Sequence, residues 1–84
     1  MSINMHIVAK WKLPSGAEVE EDLDLAQTPT DVTERLIKLP QEQIFSAYEA
    51  WVASQCNSVP FQFGLLAWIS RHKAEGHKVV WEAW

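Results

Sequence analysis

The chain of 84 residues contains a single cysteine, Cys56. One thiol excludes an internal disulfide, the usual support of small secreted domains. The longest apolar stretch, residues 65–69, is far too short to span a bilayer. No basic region precedes an apolar run near Met1, so no signal peptide is predicted. We therefore expect a soluble, cytoplasmic protein without a membrane partner.

Basic residues are also scarce. Seven Lys and Arg stand against eleven Asp and Glu, which gives a net charge of −4. This balance disfavours nucleic acid and anionic membrane surfaces as partners, because both attract positive charge. The chain shows no catalytic or nucleotide-binding motif, and no metal or cofactor is predicted.

Aromatic side chains are abundant: five Trp, three Phe and one Tyr. Each buried aromatic removes about 150–250 Å² from water, so these residues can build much of a small core. With 48% hydrophobic residues the chain is typical of a globular protein. Its length suits one domain, residues 1–84.

Residues 3–13 and 17–25 each alternate between apolar and polar side chains, the pattern of two half-buried strands. Pro14-Ser15-Gly16 between them suits a three-residue hairpin loop, in which Gly16 takes the left-handed conformation. This loop fixes a register that opposes apolar to apolar and base to acid. The predicted pairs are Lys12 with Glu18, Trp11 with Val19, Lys10 with Glu20, Ile7 with Leu23, and His6 with Asp24.

Three helices and a strand are predicted after the hairpin. Thr28 suits the N-cap of the first helix, with Pro29 as its first helical residue. The second spans about residues 40–56, and the third runs from Pro60 to a terminating Gly76. Residues 78–84 read as a third strand. The expected fold is α+β, with order β-β-α-α-α-β: a three-stranded sheet with helices packed on one face.

An acidic row is the densest charge feature. Carboxylates two residues apart on a strand repeat at about 6.6–6.8 Å, comparable with phosphates along a nucleic-acid strand. A DNA-mimicking inhibitor could use such a row, although the opposing lysines weaken this interpretation. Glu21 falls on the apolar side, which predicts a bulge or a sheet edge near it. The acidic row comprises Glu18, Glu20, Asp22 and Asp24.

Two histidines near the end of the third helix, His72 and His77, are candidates for a small enzyme or ligand site, with Tyr48 nearby. They could also form a metal or thiol site with Cys56, but no ligand spacing such as C-x-x-C supports this. The simpler interpretation is a core-edge histidine and a buried cysteine.

Some large apolar residues have no assigned place in the core: Phe63, Leu66, Val80 and Trp84. An exposed patch around Val80 and Trp84, or one around Phe63 and Leu66, would be larger than a monomer usually leaves open, and Trp is frequent at binding hot spots. Alternatively, the first helix crosses the outer sheet face and hides Val8, Val80 and Trp84.

The sequence thus favours a non-catalytic protein-interaction module, an adaptor, inhibitor or assembly factor, with a homodimer as one form it could take. Small accessory proteins of phages and mobile elements have this general character. The acidic DNA mimic and the small enzyme or ligand binder are the alternatives.

Overall fold

The computed structural model describes residues 3–25, 28–55 and 59–84, without the side chains of 59–63. The order is β-β-α-α-α-β, as predicted. None of the helices in these ranges is long and apolar enough to cross a bilayer. The elements are β1 (Met5–Lys12), β2 (Glu18–Leu25), α1 (Thr30–Ile37), α2 (Gln41–Ser54), α3 (Val59–Ala74) and β3 (Lys78–Ala83).

The three strands form one antiparallel sheet in the order β2-β1-β3. Every hairpin pair predicted from the sequence is confirmed. Gly16 has φ 88°, the left-handed conformation expected for the loop, and the Leu13 N–H donates to the Ala17 carbonyl at 2.9 Å. Beyond β3, Trp84 exchanges two backbone hydrogen bonds with Asn4, at 2.8 and 3.1 Å.

The core lies between one face of the sheet, here called the inner face, and the three helices. Trp81 is buried there and packs against Phe45 of α2 and against Tyr48, with ring centroids 6.3 and 5.4 Å apart. Trp51 and Trp68 are partly buried against the same cluster. The buried residues of this core are Met5, Ile7, Leu25, Val32, Leu36, Ile44, Tyr48, Val52, Leu65 and Trp81.

Helix α1 does not cross the outer sheet face, so that alternative is wrong. Its Val32 and Leu36 pack into the inner core with Met5 and Ile7. The amphipathic pattern of α1 explains the placement, because its apolar stripe needs the larger apolar surface, which the inner face supplies. The outer face of the sheet therefore carries none of the described helices.

The predicted start of α1 is also wrong. The helix begins at Thr30, and Pro29 is its N-cap, with φ −60° and ψ 152° and no side-chain cap. Thr28 instead belongs to the preceding turn, where its N–H donates to the Leu25 carbonyl at 2.9 Å. Pro40 repeats this arrangement before α2, with ψ 146°. Both prolines stay extended and precede the helix.

Glu21 causes no bulge: it pairs with Ala9 in a continuous ladder. The other expectation, a sheet edge, is confirmed, because β2 is an edge strand. Glu21 therefore points to the inner face, towards the end of α3.

A Schellman motif ends α3. The His77 N–H donates to the His72 carbonyl and the Gly76 N–H to the Lys73 carbonyl, both at 3.0 Å. Gly76 has φ 79°, as a terminating glycine should. In this motif the residue after the glycine folds back onto the last full turn of the helix. Here that contact brings together His77 and His72.

The free edge of β3 is partly closed by a side chain. The Gln41 carboxamide accepts a hydrogen bond from the Trp81 N–H at 2.8 Å and donates one to the Trp81 carbonyl at 2.9 Å. These are the two bonds that a neighbouring strand would make, so Gln41 occupies the place of a fourth strand at this position.

Candidate functional site

The structure brings most of the predicted site residues onto the outer face of the sheet. Directly paired residues in a ladder share a face, so Asp22, Val8 and Val80 lie together there. By the same alternation all four members of the acidic row lie on this face. Val80 and Trp84 thus share a sheet face with the acidic row, across the central strand β1.

Trp84 is the most exposed of the large apolar side chains on this face, at 55%. Its indole stacks on the imidazole of His6, with ring centroids 3.5 Å apart and planes 3° from parallel. His6 is itself buried, and its Nδ1 lies 3.0 and 3.2 Å from the two carboxylate oxygens of Asp22. A chain of contacts therefore runs from the acidic row through His6 to the exposed indole.

The outer face keeps an excess of negative charge on its β2 side. Lys10 lies 2.9 Å from Glu82 and 3.9 Å from Glu20. The hydrogen bond to Glu82 raises the pKa of Lys10, and further carboxylates nearby add to the effect. One lysine is thus shared by two acids. Asp22 and Asp24 have His6 as their neighbour, with Asp24 at 4.0 Å.

Leu66 lies apart from this surface, on α3, and is 38% exposed. It lines a groove of about 500 Å³ between α2, α3 and β3, together with Phe45, Ile69 and Trp81. The side chain of Phe63 is outside the described residues. Leu66 and the pair of Val80 and Trp84 therefore lie on two separate surfaces.

The second candidate site is a histidine cluster at the end of α3, defined by Glu21, His72, Glu75 and His77. His72 is only 2% exposed. Its Nδ1 lies 2.8 Å from Nδ1 of His77, and its Nε2 lies 3.0 Å from Oε2 of Glu21. Glu75 Oε2 is 3.6 Å from Nδ1 of His77.

Aromatic rings and a cation enclose this cluster. Trp11 stacks on His77, with centroids 3.9 Å apart and planes 6° from parallel. Trp68 packs on His72 at 4.5 Å and donates its indole N–H to Oε1 of Glu21 at 3.3 Å. Arg71 donates to the same oxygen, also at 3.3 Å. Glu21 thus accepts hydrogen bonds from Trp68 and Arg71, and its second oxygen lies 3.0 Å from Nε2 of His72.

Tyr48, one of the residues proposed for this site, does not join it. The ring contacts of Tyr48 are with Trp51 and Trp81 in the core, and burial raises the pKa of its hydroxyl. Cys56 lies outside the described residues. The site is therefore built from histidines and carboxylates, without the tyrosine.

Glu21 is the functional candidate that the sequence interpretation missed. Its signal was present, since it is an acid on the apolar side of an otherwise alternating strand. The His72–His77 pair also had a signal: a histidine at each of the two positions that a Schellman motif brings into contact around Gly76.

These geometries define a class by architecture alone: a small α+β domain in which the described helices pack on one face of the sheet. Comparisons with protein-family models, with curated proteins and with solved structures found no match. The function is therefore argued from the two candidate sites themselves.

Proposed function

We propose that this chain is a non-catalytic protein-interaction module, and that it binds a basic protein partner on the outer face of its sheet. The observation that carries the proposal is the exposed indole of Trp84, held in place beside the acidic row. Large rigid aromatics and complementary charge are the two commonest elements of a specific protein interface.

The side chain of Trp84 is already ordered, which suits it to anchor a partner. Binding normally loses free energy when a mobile side chain becomes ordered, about 0.5–1.5 kcal/mol for each one. The indole is already ordered by its stack on His6, and His6 by its contact with Asp22. Its backbone is paired with Asn4 as well. Little of that ordering cost therefore remains for the binding step.

The acidic row indicates the charge of the partner. The lysines of this face, Lys10, Lys12 and Lys78, all lie near the hairpin loop, whereas Asp22 and Asp24 at the other end have His6 as their neighbour. An exposed row of like charge opposes the binding of another acidic surface and speeds encounter with a basic one. The same argument disfavours a homodimer through this face, because each copy carries a net charge of −4.

Nucleic-acid mimicry would be a narrower form of the same proposal and is less well supported. A mimic needs a continuous array of unpaired negative charge. Here Asp22 is already bonded to His6, and lysines stand on the same face. A site for enzymatic chemistry is also less well supported, because Tyr48 lies in the core and away from the histidine cluster.

The test compares captured proteins on four immobilised baits: wild type, Trp84→Ala, the double variant Asp22→Asn with Asp24→Asn, and Leu66→Ala. Leu66→Ala is the matched control, since Leu66 is a large exposed apolar residue outside the outer face. The expected result is a basic protein that binds the wild type and the Leu66 variant, and whose binding to the other two falls by about tenfold or more.

Binding to the acidic-row variant should also lose most of its dependence on salt, because screening acts on the charges removed. A partner that is acidic, or that survives Trp84→Ala but not Leu66→Ala, would refute the proposal. Sedimentation of the free chain settles the homodimer separately: a monomer mass across the concentration series excludes it.

A further inference from the structure

We propose that the histidine cluster is a binding site for a divalent transition-metal ion, with His72, Glu75 and His77 as ligands and Glu21 as the residue that orients His72. The ligand atoms of these three residues lie within 4.8 Å of one another. This inference is independent of the outer-face proposal, since the cluster lies at the end of α3 and on the inner side of β2.

The backbone builds this arrangement locally. His72 is on the last full turn of α3, Glu75 caps that turn, and His77 follows the left-handed Gly76. The Schellman motif folds His77 back onto His72. A hydrophobic pair usually occupies these two positions, but here two imidazole nitrogens meet at 2.8 Å. The turn itself therefore brings two nitrogen ligands together, before any contact with the sheet is counted.

Glu21 supplies the feature that separates a metal ligand from an ordinary core histidine. Metal-binding histidines almost always donate their second ring N–H to a carboxylate or carbonyl, which fixes the tautomer. Oε2 of Glu21 lies 3.0 Å from Nε2 of His72, closer than Nη2 of Arg71, which lies 3.4 Å from the same nitrogen. The tautomer that donates its Nε2–H to Glu21 leaves a lone pair on Nδ1, the nitrogen that faces His77.

The geometry requires only a small adjustment to admit an ion. Two nitrogens bound to tetrahedral zinc at about 2.0–2.1 Å lie roughly 3.3 Å apart, so the two Nδ1 atoms would separate by about 0.5 Å. His77 is held by its stack on Trp11, which permits rotation in the ring plane. With His72 in the tautomer that donates to Glu21, the hydrogen between the two Nδ1 atoms belongs to His77; when an ion binds, that proton moves to Nε2 of His77 or is released to solvent.

The donor set indicates which ions fit. Two imidazole nitrogens and one carboxylate suit Zn²⁺, Co²⁺, Ni²⁺ or Cu²⁺, whereas Mg²⁺ and Ca²⁺ prefer all-oxygen sites. Three protein ligands leave at least one position for water. The side chain of Glu75 is largely exposed, so the ion can enter from solvent at that side.

The test uses the untagged full chain after treatment with a chelator, titrated with zinc sulfate in a calorimeter and with Co²⁺ by visible absorption. His77→Gln removes a ligand, and His6→Gln is the matched control, because it removes the remaining histidine at a distance from the cluster. Glu21→Gln tests the orienting role. Circular dichroism confirms that each variant folds.

The expected result is one ion per chain, with a tetrahedral cobalt spectrum and no competition from excess Mg²⁺. His77→Gln should abolish the saturable binding, and His6→Gln should leave it unchanged. Glu21→Gln should weaken it roughly 10–100-fold, the usual effect of removing an orienting partner. The cobalt spectrum of that variant should remain tetrahedral, because its ligands are intact.

Absence of saturable binding by the wild type, equal binding by His77→Gln, or loss of binding in His6→Gln would overturn the proposal. Nitrogen NMR of the wild-type imidazoles gives a second measurement that needs no variant. Zinc should shift Nδ1 of His72 and His77 and leave His6 unaffected; a shift at His6 alone would also overturn the assignment.

Discussion

Replacing Glu21 with alanine should be the most destabilising change among the five acids of β2. The substitution removes the carboxylate that lies 3.0 Å from Nε2 of His72, a side chain only 2% exposed, and that accepts the indole N–H of the half-buried Trp68. A buried donor left without a partner costs about 1–3 kcal/mol, and a second, less buried donor adds a smaller amount. Arg71 is exposed and contributes little. The sum is about 2–4 kcal/mol, a large share of the roughly 4–13 kcal/mol that a chain of this length has.

Glu20→Ala is the matched control, since it makes the same chemical change at the adjacent residue on the opposite face. Glu20 is exposed and lies 3.9 Å from Lys10, so its loss should not measurably change stability. Urea unfolding followed by circular dichroism should lower the midpoint of Glu21→Ala by about 1–2 M and leave that of Glu20→Ala unchanged. Equal midpoints for the two variants would refute the role assigned to Glu21.

Three further predictions concern other contacts. Gln41→Leu should lower stability by about 1–2 kcal/mol and promote self-association at the β3 edge, measured by urea unfolding and sedimentation; Gln43→Leu on the same helix should do neither. Gly76→Ala should lower the free energy of unfolding by about 1 kcal/mol, because Gly76 has a φ of 79°. Gly64→Ala within α3 should instead raise it by about 0.5–1 kcal/mol. A higher melting temperature for the Gly76 variant than for the Gly64 variant would contradict the Schellman assignment. Burial raises the folded-state pKa of Tyr48 above 10.0. The contribution of its neutral hydroxyl to the free energy of unfolding is therefore complete below about pH 10 and is lost as the pH rises through the raised pKa. Tyr48→Phe should remove this loss of stability at high pH, and the absorbance of tyrosinate measures the titration directly because the chain has one tyrosine.

Local chemistry made the hairpin predictable. Alternation and the Pro14-Ser15-Gly16 loop constrain the same register, and a shift of one residue would have moved every apolar side chain to the wrong face. The terminating role of Gly76 was predictable for a similar reason, because left-handed backbone strongly favours glycine. These features depend on residues close together in the chain.

Long-range packing was harder to predict. Whether α1 covers the outer or the inner sheet face depends on which surface offers more apolar area, and the pattern of α1 alone does not contain that information. The partners of Glu21 come from α3, about 50 residues further along, so only its anomalous position on the apolar side could signal them. At Thr28 and Pro29 the cap preference was overridden by a turn that buries Thr28.

The placement of β1 in the middle of the sheet has a consequence for how the chain is made. One edge of β1 meets β2 across a three-residue loop, but the other edge pairs with β3, which follows all three helices in the chain. During synthesis the hairpin can form early, while its second edge and its apolar face stay open until the helices and residues 78–83 have emerged. Completion of the sheet and burial of the core around Trp81 therefore coincide. Until that moment the nascent chain exposes the surface on which misassembly with a neighbour would begin.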